Sequence, residues 1–241
     1  MANDRGGAVP CVGRLTEREQ QIVEDVARRR DEIVTLAATL IGFDTSVRPL
    51  DAPLGDEAAL QGYLAERLRA VGAEVDLWEP VPADVAGSRM TPPGMHFSGR
   101  PQLVARLRGT GGRSLLFNGH IDVVTGEPRE RWTSDPFHAV PRDGKLYGRG
   151  ACDMKGGVAA MIVAAEALAS MRTRLGGDLV ICTVTDEEST GVGGLAAVAH
   201  GVRADACIVP EPSNFDVWVA CRGSLIPTIT VPGRPGHAGM P

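Results

Sequence analysis

Apolar residues recur at helical spacing in two stretches near the beginning of the chain. Thr16 with Glu19 three residues later is typical of a helix-capping box, and apolar positions then recur every three or four residues as far as Ile41. This spacing predicts one long helix or two consecutive helices. A further helix is predicted over residues 56–71, where Gly72 is placed to end it.

Beyond these helices, apolar runs of strand length alternate with helical stretches. Strands are predicted at 75–78, 102–107, 114–118, 178–185 and 205–209, and helices at 157–170 and 192–200. Residues 80–101 contain five prolines and are interpreted as a long surface loop, in which we expect His96 to be solvated. The alternation predicts an α/β fold in which helices flank a central mixed sheet.

The composition is typical of a soluble globular protein. The 241 residues are 43% hydrophobic and 23% charged, with a net charge of −5 and no acidic tail, so nucleic acid is not an expected partner. No apolar run is long enough to cross a bilayer, and none near the N-terminus resembles a signal peptide. Five cysteines without a CxxC pair fit reduced thiols, so a cytoplasmic location is expected.

Histidine and acidic residues gather where predicted strands end. His120 and Asp122 follow one strand, the acidic run 185–189 follows another, and Glu211 follows a third, while Asp153 lies in a glycine-rich loop before a helix. Open α/β sheets bind ligands at this edge. In an extended segment Asp122 lies on the same side as His120 and can hold the second imidazole nitrogen. One imidazole with several carboxylates suits zinc better than calcium.

Other interpretations of these segments remain open. Each cluster taken alone could be a hydrogen-bonded histidine or a solvated acidic loop. The glycine-rich loop 148–157 could bind phosphate, but it lacks the GxxxxGK[ST] pattern and contains Asp153. Residues 191–196 fit GxGxxA, which keeps a nucleotide-binding oxidoreductase as an alternative, although an acidic loop precedes them. No GxSxG elbow is present, so metal-assisted hydrolysis is the favoured chemistry.

Six motifs occur in the order found in one enzyme family: NGHIDVV, WTSDPF, LYGRGACDMKGG, TVTDEES, VPEPS and VPGRPGHAGMP. Residues 115–241 thus resemble the acetylornithine deacetylase and succinyl-diaminopimelate desuccinylase family of co-catalytic zinc hydrolases, which also contains aminoacylases and carboxypeptidases. The resemblance implies a zinc-aminopeptidase-like catalytic domain over 1–221 and the beginning of a small α+β dimerisation (lid) domain over 222–241. Family members are longer homodimers, so we expect the N-terminal part of such an enzyme here, and we do not expect this chain to dimerise.

The resemblance also implies the metal ligands. His120 and Glu211 would bind one ion, Glu188 would bind the other, and Asp153 would bridge the two. The cofactor would be two Zn²⁺ per complete site, with Co²⁺ as an alternative. On these residues the second ion has two protein ligands, Asp153 and Glu188, where three are usual.

Three further residues would act in catalysis by the same resemblance. Glu187 would be the general base, Asp122 would orient His120, and His237 would reach a partner's active site and steady the oxyanion. The implied reaction is hydrolysis of an N-acyl amino acid or a small peptide, with acetylornithine as the preferred substrate. Alternatives are an inactive metal-binding fragment and a dipeptidase or carboxypeptidase of the same family.

Overall fold

The first predicted helical stretch folds into two consecutive helices and not into one long helix. A computed structural model describes residues 15–220, 223, 229–233 and 236. Within it, α1 spans Glu17–Arg28 and α2 spans Arg30–Ile41, and α3 follows at Glu57–Ala70. The predicted capping box is confirmed, because the Glu19 carboxylate accepts the Thr16 N–H at 2.7 Å while the Thr16 hydroxyl accepts the Glu19 N–H at 3.3 Å.

Five strands form one mixed sheet, which confirms the predicted α/β class. Its strands are β1 (Glu74–Trp78), β2 (Gln102–Leu107), β3 (Gly112–His120), β6 (Gly177–Val184) and β7 (Ala206–Ile208), and a separate hairpin pairs β4 (Val140–Arg142) with β5 (Lys145–Tyr147). The strand order is β1-β2-β6-β3-β7. β2 is antiparallel to both β1 and β6, whereas β3 is parallel to both β6 and β7.

The main core lies between this sheet and helices α2, α3 and α5 (Gly156–Ser170). Leu40, Leu64, Leu103 and Ile162 have no exposed surface. Residues 179–184 of strand β6 are buried on both faces, which fits the apolar run at 179–182. On its other face, Val180 and Cys182 pack with residues of α6 (Val192–Ala199) and its flank.

Residues 80–101 form a loop for most of their length, as the prolines predict, but this loop is not solvated throughout. The segment contains a short helix, α4 (Pro82–Val85), and buries Val85, Met95 and Phe97 against helix α6. His96 is partly buried as well, with Nε2 3.1 Å from the Leu50 carbonyl oxygen. The apolar residues here follow no regular period, so the sequence pattern does not reveal the small core that they build.

Two sequence predictions fall on residues that the structure does not describe. His237 and most of the predicted lid segment 222–241 lie outside the described residues, so the division of the chain between residues 221 and 222 stays a prediction. Among the helices that the structure describes, none has the length and apolar character needed to span a membrane.

Candidate active site

The predicted site residues come from four segments that meet at one edge of the sheet. His120 is the last residue of β3, Glu187 and Glu188 follow β6, and Glu211 follows β7. Because these three strands are parallel, their carboxyl ends lie side by side. Asp153 lies in the irregular turn just before α5, in the glycine-rich segment. The fold therefore brings together residues that are far apart in sequence.

His120 is the centre of the cluster. Its Nε2 lies 3.0 Å from Asp153 Oδ1, 3.5 Å from Glu211 Oε1 and 3.9 Å from Glu187 Oε2. Ligand atoms of His120, Asp153 and Glu211 all lie within 4.8 Å of one another. The His120 side chain is 1% exposed, whereas those of Asp153 and Glu187 are about half exposed. The cluster thus has a buried imidazole on one side and solvent-accessible carboxylates on the other.

The orientation of His120 is fixed by a backbone group. Its Nδ1 lies 2.8 Å from the Asp122 carbonyl oxygen, while the Asp122 carboxylate oxygen Oδ1 is 3.6 Å away. A carbonyl oxygen can only accept, so Nδ1 carries the proton and, in the neutral ring, Nε2 presents its lone pair to the carboxylates. The sequence predicts that the Asp122 side chain makes this bond, but the main-chain carbonyl of the same residue is closer.

The Asp122 carboxylate instead holds the acidic segment after β6. It is fully buried, and its two oxygens accept the backbone N–H groups of Glu187 at 3.2 Å and Glu188 at 3.0 Å. Burial raises the pKa of Asp122 to about 6, against the lowering effects of His120 and of these two N–H donors. Asp122 therefore links the orientation of His120 to the position of Glu187 and Glu188.

The electrostatics of the cluster favour a bound cation. Burial raises the pKa of Glu211 to about 7, and the negative charges of Asp153 and Glu187 add to that effect while His120 opposes it. The pKa of Glu188 is also raised, first by burial and then by the charge of Asp153. For His120, burial lowers the pKa, but the charges of Asp122 and Glu211 outweigh it and the net direction is upward. A positive ion among these groups relieves the repulsion, and the nitrogen and oxygen donors suit zinc.

Comparisons with known proteins agree with this geometry. Residues 116–222 match the sequence profile of peptidase family M20/M25/M40. The chain is 38% identical over 221 residues to a succinyl-diaminopimelate desuccinylase of Xanthomonas euvesicatoria pv. vesicatoria (strain 85-10), an alignment that covers 87% of this chain and 52% of the relative. The region that carries the site, residues 116–222, belongs to peptidase family M20/M25/M40. The resemblance inferred from the six motifs is thereby confirmed.

Two further proteins resemble the chain, one in sequence and one in fold. The chain is 33% identical over 205 residues to N-formyl-4-amino-5-aminomethyl-2-methylpyrimidine deformylase of Bacillus subtilis (strain 168), covering 83% of this chain and 43% of that protein. Human carnosine dipeptidase 1 shares the fold with a TM-score of 0.63 at 23% identity, over 79% of this chain and 40% of that one. The chain spans about half the length of the curated relatives it matches.

A lysine of the M20 glycine-rich segment received no role from the sequence. Lys155 is fully buried, and its Nζ donates a hydrogen bond of 2.8 Å to the carbonyl oxygen of Phe43. Burial lowers the pKa of Lys155 to about 7. This bond ties the turn that carries Asp153 to the end of helix α2. Lys155 lies within the glycine-rich motif, but Phe43 is 112 positions away along the chain. The sequence pattern therefore does not predict this hydrogen bond.

A glycine allows the two segments that carry Asp153 and Glu211 to pack closely. A Cβ added at Gly157 would lie 2.2 Å from the carbonyl oxygen of Pro210 and 3.1 Å from its Cβ. Gly157 is the second residue of helix α5, four positions after Asp153, and Pro210 directly precedes Glu211. The missing side chain therefore allows Asp153 and Glu211 to approach each other.

We expect Gly157→Ala to weaken zinc binding about tenfold, because the added methyl group displaces Pro210 and with it Glu211. Overpacking should also lower the free energy of unfolding by about 1–3 kcal/mol. Competition with a chromophoric chelator measures the first effect and thermal unfolding the second. Gly62→Ala in α3 is the matched control, because no atom lies within 4 Å of its added Cβ. Equal zinc affinity in both variants would contradict the proposed spacing role.

Proposed function

We propose that this M20 chain provides a metal-dependent site that hydrolyses the amide bond of an N-acyl amino acid. The observation that carries the proposal is the convergence of His120, Asp153 and Glu211, with a Glu187 carboxylate oxygen 3.9 Å from the same imidazole nitrogen. The names of the desuccinylase and deformylase relatives describe removal of a short acyl group, which supports this substrate class. Acetylornithine is our preferred substrate within it.

The donor set fits zinc, with cobalt as an alternative. His120, Asp153 and Glu211 would hold one ion, and Asp153 together with Glu188 would hold a second. Such ions, when bound, polarise the scissile carbonyl and lower the pKa of water. One imidazole and two carboxylates provide the three protein ligands usual for a zinc site with an open position.

Glu187 is placed to move protons in this reaction. Its N–H is held by Asp122, so its half-exposed carboxylate stays beside the ligand cluster. In the proposed mechanism Glu187 accepts a proton from the attacking water and gives it to the amine nitrogen as the C–N bond breaks. In a dimer, His237 is proposed to reach the active site of the partner subunit and donate a hydrogen bond to the carbonyl oxygen there as it becomes negative. Asp122 holds both His120 and the Glu187 backbone in place.

The proposal is tested with zinc-loaded and chelator-treated protein on a substrate panel. The panel contains N-acetylornithine, N-succinyl-diaminopimelate, an N-formyl amino acid and a dipeptide, and the released amine is quantified. We expect zinc-dependent amine release from at least one N-acyl amino acid, lost on chelation and restored by zinc or cobalt. A His120→Ala protein is the control for metal bound elsewhere.

Stoichiometric zinc binding without any hydrolysis would reject the enzyme function and favour a metal-binding role. If only the dipeptide of the panel were hydrolysed, the substrates would be peptides and not N-acyl amino acids. Absence of zinc binding in the wild-type protein would reject the metal site itself.

A further inference from the structure

The segment that carries Glu187 is held by Asp122 and also by a second set of hydrogen bonds that does not involve Asp122. We name residues 185–191 the acidic loop. The Asp186 carboxylate is buried and accepts hydrogen bonds from the hydroxyls of Ser189, at 2.7 Å, and Thr190. Its main chain is left-handed, with φ of 66°. Asp186 thus folds the acidic loop around its own side chain, and the oxygen that accepts from Ser189, Oδ1, also faces a partner outside the loop.

The outside partner is Arg100, at the end of the segment that packs on α6. Arg100 Nη1 lies 3.4 Å from Asp186 Oδ1, and Arg100 Nε donates to Glu57 Oε1 at 3.1 Å. All three side chains are at least nine-tenths buried. A guanidinium group is planar and presents its donors in a fixed fork, so it can hold two carboxylates at a defined angle. Arg100 therefore connects the first turn of α3 to the acidic loop.

A neighbouring residue makes a parallel connection. Gln102 Nε2 donates to the Thr185 hydroxyl at 3.1 Å, and Gln102 Oε1 accepts the Thr185 N–H at 3.2 Å. Arg100 and Gln102 together form what we call the Arg100–Gln102 clamp. It holds the two residues that directly precede Glu187 in the sequence. The clamp and Asp122 approach the acidic loop from different parts of the fold.

A role in stability alone does not explain this cluster well. Buried ion pairs contribute little to stability, because desolvation of the charges offsets their attraction. Here two carboxylates share one guanidinium, and Glu57 Oε2 has no hydrogen-bond partner. Apolar side chains of similar volume would fill this space without those costs. Apolar side chains, however, could not make a directional contact with Asp186.

We propose that Arg100 is a positioning residue for Glu187. Through Asp186 it fixes the acidic loop, so that the Glu187 carboxylate stays beside His120 during the reaction. The inference rests on the function proposed above for Glu187. It also gives a purpose to residues 80–101, whose small core anchors the chain directly before Arg100.

The test compares Arg100→Lys with the matched control Arg67→Lys. Lysine keeps the positive charge but cannot present a fork to two carboxylates. Arg67 makes a similar ion pair with Glu166, at 2.9 and 2.8 Å, but it joins α3 to α5 and does not contact the acidic loop. Three quantities are measured on the full chain: steady-state kinetics of the zinc-loaded protein, thermal stability, and amide hydrogen exchange of the peptide covering 185–191.

We expect Arg100→Lys to lower kcat on the order of 10- to 100-fold. KM should change by less than about twofold, since the lost geometry affects the reacting groups and not substrate binding. Hydrogen exchange of the acidic loop should become faster, whereas Arg67→Lys should alter neither kcat nor this exchange. A fall in kcat that is equal in both variants, or that simply follows thermal stability, would overturn the positioning role.

Hydrogen exchange is also measured without metal or substrate, so it reports on the clamp even if no hydrolysis is found. Faster exchange of 185–191 in an inactive protein would reject the proposed function and leave the clamp supported. If Arg100→Lys does not fold, Arg100→Gln replaces it, because glutamine leaves both Asp186 acceptors of the loop hydroxyls intact but cannot bridge Asp186 and Glu57 with a charged fork. Unchanged exchange of the loop in the folded variant would overturn the inference.

Discussion

Replacement of Glu187 by glutamine is expected to lower kcat by roughly 10²- to 10⁴-fold, the range typical for loss of a general acid–base group. Glutamine has nearly the same shape, and its backbone N–H can still reach the Asp122 carboxylate, 3.2 Å away in the native protein. An amide, however, does not accept a proton from water near neutral pH. Zinc should remain bound, because His120, Asp153 and Glu211 form the ligand group without Glu187.

Steady-state kinetics and elemental analysis of the same preparations test this expectation. Glu127→Gln is the control, since Glu127 is an exposed glutamate whose carboxylate pairs with Arg129. The control should keep both turnover and zinc. If Glu187→Gln loses zinc and turnover in parallel, Glu187 is a metal ligand and the general base must be another group.

Replacement of Asp122 by asparagine is expected to weaken zinc affinity by about 10- to 100-fold, as for other residues that orient metal ligands. Both Asp122 oxygens accept N–H groups of the acidic loop, at 3.2 and 3.0 Å. Asparagine replaces one of these acceptors by an NH₂ donor, so one N–H of Glu187 or Glu188 loses its partner. Because Asp122 is fully buried, the unpaired donors cannot form hydrogen bonds with water instead. The free energy of unfolding should therefore fall by about 1–3 kcal/mol.

Competition with a chelator and thermal unfolding measure the two effects. Asp178→Asn is the matched control, because Asp178 also accepts a backbone N–H, from Gly109 at 2.8 Å, but lies at the opposite end of β6. It should lose stability without losing zinc affinity. Similar zinc affinity in Asp122→Asn and the wild-type protein would show that the acidic loop keeps its position without this carboxylate.

The elements with strong apolar patterns could be predicted closely from the sequence. Strand β2 was expected at 102–107 and is Gln102–Leu107, and helix α5 was expected at 157–170 and is Gly156–Ser170. In both cases the apolar residues of the element are buried in the main core, so local pattern and tertiary packing agree. The clustering of His120, Asp153 and Glu211 followed from their position beyond strand ends and from the family motifs.

The contacts that fix the site could not be predicted in the same way. Arg100 and Glu57 are charged residues that would ordinarily be assigned to solvent, and their pairing spans 43 positions. The burial of Phe97 depends on α6, which comes almost a hundred residues later. The choice of the Asp122 carbonyl as partner of His120 depends on how the chain turns after β3. Each of these is decided by the tertiary fold and leaves no periodic signal in the sequence.

The parallel pairing of β3 with β6 and β7 has a consequence for how the protein folds. Leu115 pairs with both Leu179 and Ala206, so large loops must close before the edge that carries the site exists. Contacts of such sequence separation form late and slow the folding reaction. The metal ion therefore meets its complete ligand set only after the sheet has assembled. A metal ion bound at this site is therefore expected to act mainly by slowing unfolding of the native sheet, and not as a nucleus for folding.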